Sequence, residues 1–368
     1  MRSTYAVVNL KYLKDNYLNI RKKTNNAKIM PVVKANAYGH GVEKIVSALN
    51  SLPEKPEYYA VALVEEGIEL RNYNVDQPVL IFEPVDLSQI NSIVDFNLIP
   101  TIFTEQQAKL LKNNIKKESI RIHIKINTGM NRLGINHKKA FEFIRRISED
   151  KFFIIDGIYT HFATSDEKDK SFANLQLKRF KDLLNELRLN NIDYGYAHSA
   201  NSGAILDMPE SYFDIVRPGI SLYGYYPSHE TSESISLKPI MSIITKVDSV
   251  NRIEAGETVS YGRKFKADAA SSIISVSMGY ADGYNRNLTN KSKAIIKGKL
   301  YSQAGTVTMD RIMFDVKEDN IKIGDEVILL GEEKEIKFNA WDWAKILNTI
   351  PYEITCGISQ RVPRLYIN

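Results

Sequence analysis

With 368 residues, 43% of them apolar and 25% charged, the chain is long enough for two domains with sizeable cores, and its composition excludes a disordered or fibrous protein. The 49 basic and 44 acidic side chains leave a formal charge of +5 with no concentrated basic tract, which argues against nucleic acid as a partner. A single cysteine, Cys356, forbids an intramolecular disulfide, zinc-finger spacing is absent and no run approaches about 18 apolar residues, so a cytoplasmic protein without a metal or a membrane span is expected.

The first ten residues, MRSTYAVVNL, lack the apolar core of a secretory signal and read as a strand. Eight short apolar runs then follow, separated by amphipathic stretches: Ala27–Val33, Tyr58–Leu63, Pro78–Phe82, Leu98–Phe103, Ile120–Ile126, Ile154–Phe162, Tyr194–Ser199 and Phe213–Gly219. Strands alternating with helices point to an α/β fold, and eight of them over about 200 residues to a (β/α)8 TIM-type barrel. Phe172–Asn190, with leucine and phenylalanine three or four apart, is a predicted covering helix. Beyond Glu233 the texture changes to alternating β-branched segments broken by EAGE, KGK and KIGDE turns. Residues 1–233 are therefore assigned to the barrel and 234–368 to a mostly-β domain, with which the first ten or so residues could pair. One late helix is predicted, over Asn339–Asn348.

Lys34 lies where the first barrel strand ends, in VVKANAYGHG. Barrel active sites are built at the carboxyl ends of the strands, where a partly desolvated lysine loses its proton more easily and can form a Schiff base. Position alone favours a lysine whose stem covers the strand end while its amine reaches water. The run Lys34, Ala35, Asn36, Ala37, Tyr38, Gly39 resembles, residue for residue, the cofactor-lysine motif of alanine racemases. That resemblance implies pyridoxal 5'-phosphate held on Lys34, with the Tyr38 hydroxyl reaching the phosphate. The loops after the seventh and eighth strands, HSANSGAIL and RPGISLYG, place Asn201, Ser202, Gly219 and Ile220 where barrels commonly bind phosphate; Ser202 by itself would read as a helix cap.

Arg217 separates reaction types. A carboxylate beside the pyridine nitrogen keeps that nitrogen protonated and the ring a strong electron sink. A guanidinium can only donate, so the nitrogen stays unprotonated and the chemistry is confined to proton exchange at Cα. Racemisation needs acid-base groups on both faces of the planar carbanion. Lys34 serves one face; VSYGRKF resembles the family segment that supplies the other, here Tyr261, donated in that family by the second subunit of a homodimer and touching a histidine that matches His161. A phenol ordinarily titrates near pH ~10, so this role requires a lowered pKa.

Smaller matches surround these. IKINTGMNRLG carries Arg132, whose family counterpart binds the substrate carboxylate, and Lys125, at a position often carbamylated in the family. Asn131 stands where glycine is expected. MGYADGY, GTVTMDR and PYEITCGISQRVPR resemble further family segments, and that resemblance implies Tyr280 at the active-site entrance, Met309 and Asp310 bordering the substrate, with Thr308 where cysteine is frequent, and Tyr352 over the cofactor phosphate and the substrate side chain. Cys356 is expected to be a buried structural thiol, and His161 and His198 also fit satisfied core histidines.

The resemblance runs in family order from the first strand to the last fifteen residues, and implies a racemase making D-alanine, a cell-wall precursor. A pyridoxal-dependent amino-acid decarboxylase shares the layout but would place an acid rather than Arg217 at the pyridine nitrogen. A cofactor-carrying barrel without turnover would lack the second domain. Serine or another amino acid remains open as substrate, since one methylene changes selectivity by only about 10 to 200 fold.

Overall fold

The computed structural model describes residues 3–368. Its chain divides into two compact units: one comprises Leu13–Ala37 and Val42–Leu237, the other the stretch up to Tyr12, Tyr38–Gly41 and Lys238–Asn368.

Eight parallel strands organise the first unit: Lys28–Ile29, Tyr59–Val61, Val79–Ile81, Ile99–Ile102, Ile120–Asn127, Phe153–Tyr159, Tyr196–His198 and Ile215–Val216. Hydrogen bonding links them from the first through the eighth and back down to the second. A parallel bridge between Val32 and Ala60, with Val33 N–H donating to Ala60 O at 3.0 Å and Ala60 N–H to Pro31 O at 3.0 Å, joins the first strand to the second and completes the ring. Strands with both faces covered should read as unbroken apolar runs, and Tyr59–Val61, Val79–Ile81 and Ile99–Ile102 are buried throughout. The covering helices show the complementary pattern. In Ser171–Leu189 the buried positions Ala173, Gln176, Leu177, Phe180, Leu183, Leu184 and Leu187 recur at three and four, and His137–Ser148 buries Ala140, Phe143, Ile144 and Ile147 in the same way. Phe180, Leu183, Leu184 and Leu187 of the one helix and Ala140, Phe143, Ile144 and Ile147 of the other form one core with Ile122, Ile124 and Ile158 of the fifth and sixth strands.

A nine-stranded sheet, antiparallel except at one edge pair, dominates the second unit. Its long strand Met241–Ile253 pairs with Tyr5–Asn9, with Ser271–Val276 and with Glu326–Glu333, and the last pairing closes six of the strands on themselves. Closure removes free edges. Ala340–Leu347 is helical, capped by the Asn339 side chain on Trp341 N–H. A second late helix, Pro351–Cys356, was not expected from the sequence; Pro351 opens it at a position where the missing N–H costs nothing. Cys356 corrects the expectation of a buried thiol, because this helix turns Ile354 and Thr355 inward and leaves Cys356 exposed.

Candidate active site

Lys34 is half-buried at the end of the first barrel strand, and the backbone after it takes an uncommon course. Ala35, Asn36, Ala37 and Tyr38 all have φ near the left-handed value, 53° to 54°. Each such non-glycine residue costs roughly 1–2 kcal/mol, so the turn must be held from outside itself. Glu66 does part of this: its carboxylate accepts from Ala35 N–H at 2.6 Å, from Ala62 N–H at 2.8 Å and from Leu63 N–H at 3.1 Å, tying the turn to the end of the second strand. Asn36 Oδ1 accepts from Val42 N–H at 2.8 Å on the far side.

Arg217, just past the eighth strand, is buried and has no carboxylate partner among the described residues. Its Nη1 donates to His198 Nδ1 at 2.7 Å, and its Nη2 to Thr160 O at 2.8 Å and Ser199 O at 3.0 Å, with His161 Nδ1 at 3.4 Å. The Nε–H and the second Nη1 N–H find no partner among the described residues. Burial pulls the guanidinium down to about 10, which still leaves it cationic at neutral pH. Beside it, Ser202 Oγ accepts from Gly219 N–H at 3.0 Å, Ser221 N–H at 3.3 Å and Ser221 Oγ at 3.0 Å, so both lone pairs are engaged and its own proton is available to an acceptor. Asn201 Oδ1 caps the following helix on Ala204 N–H at 3.1 Å and accepts from Ser165 Oγ at 2.7 Å. Ile220 is buried next to Gly219.

Lys125, on the fifth strand, points its amine at the Tyr159 ring, 5.5 Å from the centroid. Burial, then Arg132, then Arg217, bring its pKa down to about 8. Half-buried His161 is held well below its usual value by burial first and then by Arg217, Arg132, Lys125 and Lys34, so it is neutral. Four cations thus converge on one imidazole at the carboxyl end of the barrel. Such a site favours anions. Arg132 is exposed in a loop whose register Asn131 keeps: Asn131 adopts φ 57°, as a glycine would, and exchanges hydrogen bonds with Asn127 at 3.0 and 3.1 Å. Asparagine tolerates this conformation because its short amide can bond locally.

The remaining candidates lie in the second unit. Tyr261 sits at the tip of the hairpin Thr258–Val259 and Phe265–Lys266, 75% exposed, with its carbonyl accepting from Thr306 Oγ1 at 2.6 Å. Tyr280 N–H donates to Thr308 O at 3.0 Å and Ala281 N–H to Met309 O at 3.1 Å, so Thr308 keeps these backbone bonds where a cysteine is frequent in the family. The segments approach so closely that a Cβ on Gly279 would lie 2.2 Å from Met309 O, which only glycine allows. Asp310 accepts from Arg361 Nη2 at 2.6 Å. Tyr352 packs on Tyr38 with ring centroids 5.9 Å apart.

Three residues of the barrel interior escaped the sequence reading. Tyr159 stacks on His198 at 4.8 Å and lies beneath both Lys125 and Arg217; His123 and Asp156 continue from His198 toward the amino ends of the strands. The signal available for His123 was its two-residue spacing from Lys125, which puts both on one face of the fifth strand.

The donor set bears on which cofactor fits: a primary amine at a strand end, a buried donor-only cation with N–H groups unspent, and a serine proton beside glycine N–H groups together suit a phosphorylated aldehyde with a basic ring nitrogen. Comparison with known proteins points the same way. Residues 8–227 match the alanine racemase N-terminal domain and residues 240–366 the alanine racemase C-terminal domain. The chain is 40% identical over 371 residues to the alanine racemase of Carboxydothermus hydrogenoformans, covering all of both chains. Among solved structures, the alanine racemase of Clostridium difficile 630 superposes with a TM-score of 0.93 at 34% identity, covering 100% of this chain and 96% of that one. The Bacillus anthracis alanine racemase with bound L-Ala-P gives 0.91 at 31% identity, with the same coverage.

Proposed function

The chain belongs to the alanine racemase family, and on that premise we propose that it interconverts L-alanine and D-alanine with pyridoxal phosphate bound at the carboxyl end of the barrel. Bound there, the cofactor supplies an electron sink for the negative charge left at Cα when its proton departs. Lys34 carries the cofactor and moves the proton on one face; the partner subunit's Tyr261 moves it on the other. Tyr38, Asn201, Ser202, Gly219, Ile220 and Tyr352 line the phosphate end. Arg217 would donate to the cofactor's ring nitrogen and so keep it unprotonated. Arg132 takes the substrate carboxylate, and Tyr280, Met309 and Asp310 border the small side chain. The protein acts as a cytoplasmic homodimer; no described helix is long and apolar enough to cross a membrane.

One observation carries this reading: buried Arg217 meets imidazoles and carbonyls and no carboxylate. A decarboxylase would need an acid in its place. The 75% exposure of Tyr261 supports a site completed from a second subunit.

Purified protein incubated with single L-amino acids and followed by polarimetry tests the proposal. Alanine should lose its rotation to zero, and borohydride should fix the cofactor on Lys34. Inert alanine alongside racemised serine would overturn the substrate, whereas release of carbon dioxide would overturn the reaction.

A further inference from the structure

Below the site lies a chain of buried polar groups that racemisation itself does not call for. Arg217 Nη1 meets His198 Nδ1 at 2.7 Å, His198 Nε2 meets His123 Nδ1 at 2.9 Å, and His123 Nε2 meets Asp156 Oδ2 at 3.1 Å. The two ends settle every proton between them. A guanidinium only donates, so His198 Nδ1 is bare and its proton sits on Nε2. That proton goes to His123 Nδ1, which places the second ring's proton on Nε2, facing a carboxylate that only accepts. The Asp156 carboxylate is itself fixed by Arg121, at 2.9 and 2.6 Å to Oδ1, and by the Tyr58 hydroxyl at 3.1 Å to Oδ2.

Packing reinforces the line. His123 pairs across the sheet with Gly157, where a Cβ would stand 2.7 Å from His123 Cε1 and 2.7 Å from Tyr196 O. Only glycine leaves room for the ring in this position. Tyr159 stacks on His198 within 8° of parallel. Burial is the leading cause that lowers both histidines, and Asp156 is held below its usual range by His123 and Arg121 against its own burial.

We propose that Asp156 is a positioning residue for Arg217: through the fixed tautomers of His123 and His198, a carboxylate near the amino end of the barrel orients the guanidinium. This rests on the proposed function only for the purpose Arg217 serves; the relay itself is a property of the chain. Because His198 is kept as an acceptor toward Arg217, the guanidinium is held with its Nε–H unspent. Without the carboxylate, the His123 Nε2–H loses its acceptor and the ring can take the tautomer that presents Nδ1–H to His198; this breaks the line, lets His198 turn away from Arg217 and costs the guanidinium the partner that fixes its plane.

The test is nitrogen NMR of the full-length chain with labelled histidine, before and after loading with pyridoxal phosphate. Both rings should read as neutral with the proton on Nε2. Asp156→Ala should give mixed tautomers at His198, shift the visible absorption of the loaded protein and lower kcat by about tenfold with KM less affected, the lower end of the scale on which hydrogen-bond partners of metal-ligating histidines act. Asp156→Asn, which keeps an accepting oxygen, should restore most of both readouts. A wild-type His198 carrying its proton on Nδ1, or an Asp156→Ala protein whose His198 signals are unchanged, would overturn the relay. The wild-type measurement decides even if that variant does not fold. Failure to bind the cofactor would instead strike the proposed function, since the tautomers are read on the unloaded chain as well.

Discussion

The chemistry-bearing residues of the two units are held in opposite ways. In the barrel, Arg217, Lys125 and His198 are buried, Arg217 and His198 held by hydrogen bonds and a stacked ring and Lys125 set over the Tyr159 ring. In the second unit the side chains of Tyr261, Met309 and Tyr280 are 75%, 51% and 43% exposed, although the backbone beneath them is pinned by Thr306, Thr308 and Gly279. Rigid backbone under exposed apolar side chains is what an interface needs before its partner arrives. On the proposed reading, a partner subunit would cover these exposed side chains of the second unit.

The largest expected effect tests that division. Lys34→Ala and Tyr261→Phe should each lower activity by roughly 10²–10⁴ fold, the contribution of a positioned acid-base group. Co-refolded together, they should recover a substantial fraction of wild-type activity, because a mixed dimer contains one site with both groups intact. Assay of the mixture against each variant alone is the measurement. Absence of recovery, with dimers verified by sedimentation, would mean that each chain is self-contained and that Tyr261 is exposed for another reason.

A smaller effect sharpens the account of the barrel. Lys125 has a pKa of about 8, below the usual value near 10.5, chiefly through burial and then Arg132. Its folded state binds a proton less readily than the unfolded chain, so between about pH 8 and 10.5 stability should rise with pH as the folded penalty for the charged form is relieved. The neutral amine is also the form that attacks carbon dioxide: its lone pair forms the N–C bond, one proton leaves, and the resulting carbamate faces Arg132. Carbon-13-labelled bicarbonate should therefore give a carbamate resonance that grows from pH 7 to 9 and is missing in Lys125→Ala. A spectrum identical in both proteins would remove the modification. Loss of the carbamate should raise the substrate KM several-fold, through a less well-held Arg132.

The barrel could be read from the sequence because its strands are doubly covered: each apolar run has no alternative environment, and all eight lie within three residues of their expected bounds except the first, where Pro31 breaks the ladder to leave Lys28–Ile29 and a bridge at Val32. Candidate site residues were legible by type and motif, while the connections among them were not. Nothing in the run Ala35 to Tyr38 favours φ above zero; Glu66, 31 residues away from Ala35 in sequence, helps to impose it. The relay from Arg217 to Asp156 joins four strands, and local spacing says nothing about which histidine faces which. The short helix Pro351–Cys356 was missed because six residues carry too little periodicity to show a face, and Cys356 was misplaced with it.

The smallest effect concerns Asn131, which stands where glycine is expected and takes the left-handed conformation at φ 57°. If the bonds to Asn127 offset the strain, Asn131→Gly should be close to neutral, losing the one side-chain hydrogen bond from Asn127 Nδ2 while relieving the backbone. Asn131→Ala keeps the strain and loses the side-chain bond from Asn127 Nδ2, so it should lower stability by about 1 kcal/mol in urea unfolding and raise the KM for alanine as Arg132 loses its register. The two substitutions separate backbone from side chain. Equal effects from both would show that the amide, rather than the left-handed turn, governs the Arg132 loop.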